Sequence, residues 1–196
     1  MKRRLVKKRN NSNYYKFVKK IKEYHLYLVF FSLFLFLILL FFIDIKTDAV
    51  ILFTFILILE YTIYKDRLGQ EIVIAFLFAL FIISYYVYDY TENNLKIGRI
   101  NLFPLVAWTA GLVLIREVYE RTNGNKYFAF AKICLTYWIC LFALEFLGYW
   151  LLGIRLNSNF SSLFGLGVIH APFGMKLFYV LAGPMYILIT NYLKVK

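Results

Sequence analysis

From His25 to Ile43 the chain reads HLYLVFFSLFLFLILLFFI, with one serine and no charge after its first residue. A surface helix carries a polar stripe and a half-buried strand alternates; this stretch does neither. A helix that is apolar all round must be buried in a large core or lie in lipid. Similar runs recur at about 49–64, 71–90, 101–119, 133–154 and 177–193. About 20 apolar residues span a bilayer as a helix, so the pattern predicts six spans. The first is too long for the apolar region of a signal peptide and lacks a small-residue cleavage site after Ile43, so it reads as a retained span.

The connections are uneven. Residues 44–48 (DIKTD) predict a tight loop, so that the first two helices pack antiparallel, and 64–71 (YKDRLGQE) a short turn with Gly69 near its end. Residues 91–100 (TENNLKIGRI) form a polar connection. The fourth span runs on into REVYERTNGNK, where Arg116–Glu120 and Glu117–Arg121 have the i,i+4 spacing of helical ion pairs and Asn123-Gly124 is a stop signal. Segment 155–176, RLNSNFSSLFGLGVIHAPFGMK, is long for a loop and too apolar for a solvated one. Its alternation of large apolar residues with glycines suits a hairpin lying on the membrane or packed into the end of the bundle.

Composition sharpens the picture. Of 196 residues, 62% are hydrophobic and 21% aromatic. A chain of this length cannot form a soluble core that buries several all-apolar helices, so a bilayer is its solvent. The expected fold is an all-α, polytopic membrane protein of six transmembrane helices with a Gly-rich outer segment between helices five and six. Residues 1–24 form a basic cytoplasmic segment and 25–196 a single transmembrane domain.

Charge gives the orientation. On the side where the chain starts, Lys and Arg number eighteen; the opposite side has five, namely Lys46, Lys96, Arg99, Arg155 and Lys176. Cytoplasmic loops carry the excess of basic residues, which predicts both termini in the cytoplasm and a cell-membrane location, inner or plasma membrane. The aromatic run SYYVYDY (84–90) and Trp150 fall where an outer interfacial belt would lie. Ten cations in residues 1–24, against the single acid Glu23, read as an anchor on anionic headgroups, in preference to a nucleic-acid surface.

Candidate chemistry is sparse. Glu60 and Glu145 are the two acids well inside predicted spans, and an ionisable group at that depth normally faces protein. On a helix Glu145 shares a face with Trp138, Gly148 and Tyr149, and His170 follows in GVIHAPFG at the outer end. Glu145, His170, Trp138, Tyr149 and Glu60 are therefore the candidate polar site. Ala107 and Gly111 form a small-xxx-small spacing, and with Gly148, Gly183 and Pro184 they are the candidate helix-packing residues. Pro184 removes a helical hydrogen bond and frees the carbonyl of Val180.

Cys134 and Cys140 point to different faces of one helix and cannot pair. No HExxH, GxSxG, P-loop or dinucleotide fingerprint occurs, and Asp44 and Asp48 with Lys46 between them make a poor metal pair, so neither a metal nor a cofactor is expected. Three functions fit. The leading one is a non-enzymatic membrane subunit or regulatory component that binds a protein partner or a second copy. The second is a small proton-linked transporter or permeation unit using Glu145. The third is an intramembrane enzyme on a lipid-soluble substrate, with Glu145 and His170 as acid and base.

Overall fold

A computed structural model describes residues 44–63, 65–85, 95–122 and 124–193, with Phe31, Phe34 and Leu35 as helical positions outside these stretches. The basic segment 1–24 and nearly all of the first predicted span lie outside the described residues, as do residues 86–94.

The described chain is mostly helical. Its helices are α1 (Ile45–Ile63), α2 (Lys65–Tyr85), α3 (Leu102–Arg121), α4 (Lys126–Phe146) and α5 (Phe173–Tyr192). They correspond to the second to sixth predicted spans, and three are long and apolar enough to cross a membrane: Leu102–Arg121, Lys126–Leu151 and Phe173–Tyr192. The apolar part of α2, Gly69–Tyr85, is shorter.

The helix starts differ from the expectation for a local reason. The predicted loop 44–48 is the first turn of α1. Asp44 caps it, its Oδ2 accepting from the Thr47 amide at 3.1 Å. Asn101 caps α3 by accepting from the Phe103 amide, and Asn125 caps α4 by accepting from the Tyr127 amide, both at 3.1 Å. Each short polar side chain supplies an acceptor for an otherwise unpaired first-turn N–H, so the helices begin earlier than the apolar runs do. The predicted turn 64–71 is likewise mostly helix, since α2 begins at Lys65.

One element departs from the all-helical expectation. Lys96–Ile97 (β1) and Ile100–Asn101 (β2) form a small antiparallel hairpin, pairing Lys96 with Asn101 and Ile97 with Ile100. Gly98, with φ +61°, makes the turn.

Helix α3 is central and packs against α1, α2, α4 and α5. Its inward face holds Leu105, Thr109, Ala110, Leu112, Val113 and Arg116. Halfway along the bundle, Val113 and Leu112 meet Ala75 of α2, Tyr137 of α4 and Tyr186 of α5 in one apolar cluster. A second cluster closes one end. There Leu163, Val168, Ile169 and Ala171 of the Gly-rich segment insert between Ile83 of α2, Leu105 of α3 and Met175 of α5. The segment is thus a packed plug. Irregular backbone survives among apolar helices when protein covers it, and a bond from the Leu163 amide to the Val168 carbonyl (2.8 Å) closes the plug on itself.

Two ends of the bundle follow. At one, the start of α2 (Glu71) meets the end of α3 (Arg116) and the end of α5 (Asn191). At the other, the plug meets the end of α4 and the start of α5. Outside, the helices are apolar: Leu77 and Phe81 on α2, Leu135 and Ile139 on α4, and Leu181 and Leu188 on α5 are exposed.

Candidate functional site

Helix α4 does not stop at Phe146. Its last turn widens into a π turn over Leu147–Leu151, with the Leu152 amide donating to the Leu147 carbonyl at 3.0 Å. A π turn inserts an extra residue into the helical repeat, which re-aims the side chains it carries. Here it carries Tyr149 and Trp150 onto the plug. The His170 ring stacks on Tyr149 with centroids 3.8 Å apart and planes at 15°. The Trp150 indole N–H donates to the Gly167 carbonyl at 3.0 Å. Arg155 donates through Nε to the Tyr149 carbonyl (3.2 Å) and lays its guanidinium over the Tyr149 ring, 4.6 Å from the centroid.

The plug backbone is bent to make these contacts. Phe164 and Ile169 hold φ of +47° and +52°, beside Gly165 and Gly167 at +75° and +70°. A β-branched residue in the left-handed region costs energy, so buried Ile169 is held there by its packing.

Glu145, one turn before Tyr149, is half-buried and turns toward α5, where its side chain is hydrogen-bonded to that of Tyr179. Tyr179 is itself fixed: Trp108 packs edge-on against its ring at 4.8 Å. Two turns before Glu145, Trp138 donates its indole N–H to the Val180 carbonyl at 2.9 Å. That is the carbonyl Pro184 leaves without a helical donor. Tyr137 donates to the Tyr179 carbonyl, and its ring lies over Gly183 so closely that a Cβ there would come within 2.7 Å of it.

The sequence candidates are therefore distributed as follows. Trp138, Glu145 and Tyr149 line the α4 face toward α5 and the plug, and His170 joins them through Tyr149. No hydrogen bond links Glu145 to His170 among the described residues. The side chain of Glu60 lies outside the described residues. Gly183 and Pro184 lie at the α4–α5 contact. At Gly111 and Gly148 nothing among the described residues approaches within 4 Å of a Cβ built on either. The packing face of α3 runs through Ala110 and Val113, about a third of a turn from Gly111, and Ala107 is only partly covered.

Sequence reasoning missed a second polar centre. At the opposite end Arg116, 2% exposed, donates to Glu71 Oε1 (3.4 Å) and to Asn191 Oδ1 (2.6 Å) and pairs with Glu120 (2.5 Å). The hydroxyl of Tyr186 donates to the Glu71 carbonyl at 2.9 Å. Both i,i+4 pairs expected on α3 form, Arg121–Glu117 at 3.3 Å being the other. The available signal for the long-range partner was Glu71 itself, an acid at the edge of an apolar run.

No cluster of His, Cys, Asp and Glu that could hold a metal occurs among the described residues, and Cys134 and Cys140 are both free thiols. An open groove of about 550 Å³ lies on α2, lined by Leu77, Leu80, Phe81, Ser84 and Tyr85; neither Glu145 nor His170 is among these lining residues. Comparison with protein-family models, with curated proteins and with solved structures finds no match for this chain.

Proposed function

We propose that the protein crosses the cell membrane six times with both termini in the cytoplasm, and acts without catalysis as a subunit or regulatory component of a membrane assembly. Its partner is another membrane protein or a second copy of itself. One observation carries this reading: among the described residues Arg116, Glu145 and Trp138 are each bonded to protein groups, while exposed apolar residues lie on α2, α4 and α5, although both carboxylate oxygens of buried Asp48 have no hydrogen-bond partner. Arg116 is taken up by Glu71, Asn191 and Glu120, Glu145 by Tyr179, and Trp138 by Val180. A reaction centre or a permeation path needs polar groups that face a cavity, whereas bonded polar groups hold helices in register.

The second reading, a proton-linked permeation unit, draws on one feature: the Glu145 carboxyl lies within a span and is bonded to a tyrosine hydroxyl. The two are separated by the Glu145→Gln variant. A subunit keeps its assembly and its function, read as a stoichiometric complex by native mass spectrometry after gentle extraction. A permeation unit loses pH-dependent uptake in proteoliposomes. A wild-type protein that is monomeric from native membranes and active alone in liposomes would end the subunit reading. Tags at the two chain ends that report different compartments would end the six-span arrangement.

A further inference from the structure

The plug segment is cationic and contains no acid. Residues 146–196 contain neither aspartate nor glutamate, yet Arg155 and His170 both lie against the Tyr149 ring, and Lys176 at the start of α5 is near enough to act on His170. Arg155 and Lys176 meet no carboxylate among the described residues. The bonding partner of Arg155 is the Tyr149 carbonyl, with the rings of Tyr149 and Trp150 beneath the guanidinium at 4.6 and 5.9 Å. Lys176 donates to the hydroxyl of Ser161 (2.9 Å) and the carbonyl of Ser162 (3.3 Å), both neutral. Burial, and then the nearby Lys176 and Arg155, hold the His170 ring below the ordinary histidine range, and its Nδ1 is buried without a hydrogen-bond partner.

Placement adds to charge. Two cations of fixed position, Arg155 stacked on an aromatic ring and Lys176 bonded at Ser161 and Ser162, stand beside His170 and form a pre-ordered anion receptor. Around it stand exposed apolar residues: Trp150, Leu151, Phe164, Leu166 and Phe173, Phe164 being 89% exposed. A soluble anion has no use for such a rim. A lipid has both parts, an anionic phosphate for the cations and acyl chains for the rim.

We propose that this end of the protein binds the phosphate of an anionic phospholipid between Arg155 and Lys176, beside His170, with its chains against Trp150 and Phe164. The phosphate chemistry is shared with free inorganic phosphate, and the rim is what assigns it to a lipid. The inference rests on the membrane reading above but not on orientation, because either end of a spanning bundle meets a headgroup layer.

The test is native mass spectrometry of the full-length protein in detergent, titrated with phosphatidylglycerol, phosphatidylcholine or inorganic phosphate. Phosphatidylglycerol is expected to bind about tenfold more tightly than phosphatidylcholine, and Lys176→Gln and Arg155→Ala each to weaken it about tenfold, the loss of one charge-assisted contact. Arg99→Ala, an exposed cation on the hairpin turn, is expected to leave it unchanged. Should Arg155→Ala fail to fold, Lys176→Gln decides alone, since it removes only the charge beside Ser161. Equal binding of the two lipids, or wild-type binding by the variants, overturns the site. Displacement of phosphatidylglycerol by equimolar inorganic phosphate overturns the lipid as its occupant. Loss of lipid selectivity with assembly intact would strike this inference and leave the proposed function standing.

Discussion

The indole N–H of Trp138 on α4 occupies the Val180 carbonyl on α5 at 2.9 Å, the position that Pro184 cannot fill because proline has no N–H. In an apolar medium an unpaired carbonyl is expensive, so the two substitutions are thermodynamically linked. Trp138→Phe is expected to lower stability by about 1 kcal/mol through this bond, in addition to the lost ring volume. In a Pro184→Ala background residue 184 regains its amide and can bond Val180 within the helix, so the same substitution should cost less. A double-mutant cycle of thermal unfolding in detergent reads the coupling. Strict additivity would show that the indole bond does not stand in for the amide that Pro184 lacks.

Gly183 and Gly111 make opposite predictions although both looked like packing glycines. A Cβ on Gly183 would lie 2.7–2.8 Å from the ring of Tyr137, too close for any rotamer to relieve without moving α4. Gly183→Ala is therefore expected to destabilise by about 1–3 kcal/mol, with partial recovery when Tyr137 is replaced by leucine. Gly111→Ala meets nothing within 4 Å among the described residues and should change stability by no more than about 0.5 kcal/mol. Melting temperatures of the three variants in one detergent settle the comparison.

That contrast shows how much of the site can be read from one chain. Apolar runs reveal helices because lipid removes the need for a polar stripe, and Asn101 and Asn125 explain the helix starts that the runs alone misplace. Small-xxx-small spacing names a face without saying what stands opposite, whereas the face of α3 covered by described residues runs through Ala110 and Val113. Glu145 stood out because a carboxyl in an apolar run is costly, but its partner Tyr179 was one of 17 tyrosines with nothing to mark it. The Glu71–Arg116–Asn191 contact joins residues 45 and 75 positions apart, which no local periodicity encodes. Absence was informative as well: the acid-free stretch 146–196 was visible from the start, but it acquires meaning only once the plug brings Arg155 and Lys176 to one place.

The Arg116 centre predicts an asymmetry between its partners. Arg116→Met leaves Glu71 in the interior without its cation, and breaking a buried pair from one side costs about 3–5 kcal/mol. Arg116→Lys should recover little, because a single ammonium cannot match the forked contacts to Glu71, Asn191 and Glu120. Glu71→Gln keeps an acceptor for the guanidinium, and Glu120 still balances its charge, so this variant should be the mildest. Expression level and detergent unfolding curves rank the three. A lysine variant as stable as the wild type would mean that charge alone matters at this end.

His170 predicts the pH dependence of the plug. Burial, then Lys176 and Arg155, hold its protonation below the ordinary histidine value of 6.5, so the folded protein keeps the ring neutral where the unfolded chain would take up a proton. The unfolded state then binds more protons, and stability rises with pH across that window. Relative to neutral pH, the plug should weaken as pH falls below 6.5, until the folded ring also protonates. His170→Phe retains a ring to stack on Tyr149 and removes the titration, so its melting temperature should fall less than that of the wild type between pH 7.5 and 5. The groups facing the ring are Tyr149, Trp150, Arg155 and Lys176, and only the two cations carry charge. An anionic lipid held between those cations would offset them, so adding phosphatidylglycerol should flatten the wild-type pH slope and leave that of His170→Phe unaltered. Identical slopes for the two proteins, with and without lipid, would remove His170 from both arguments.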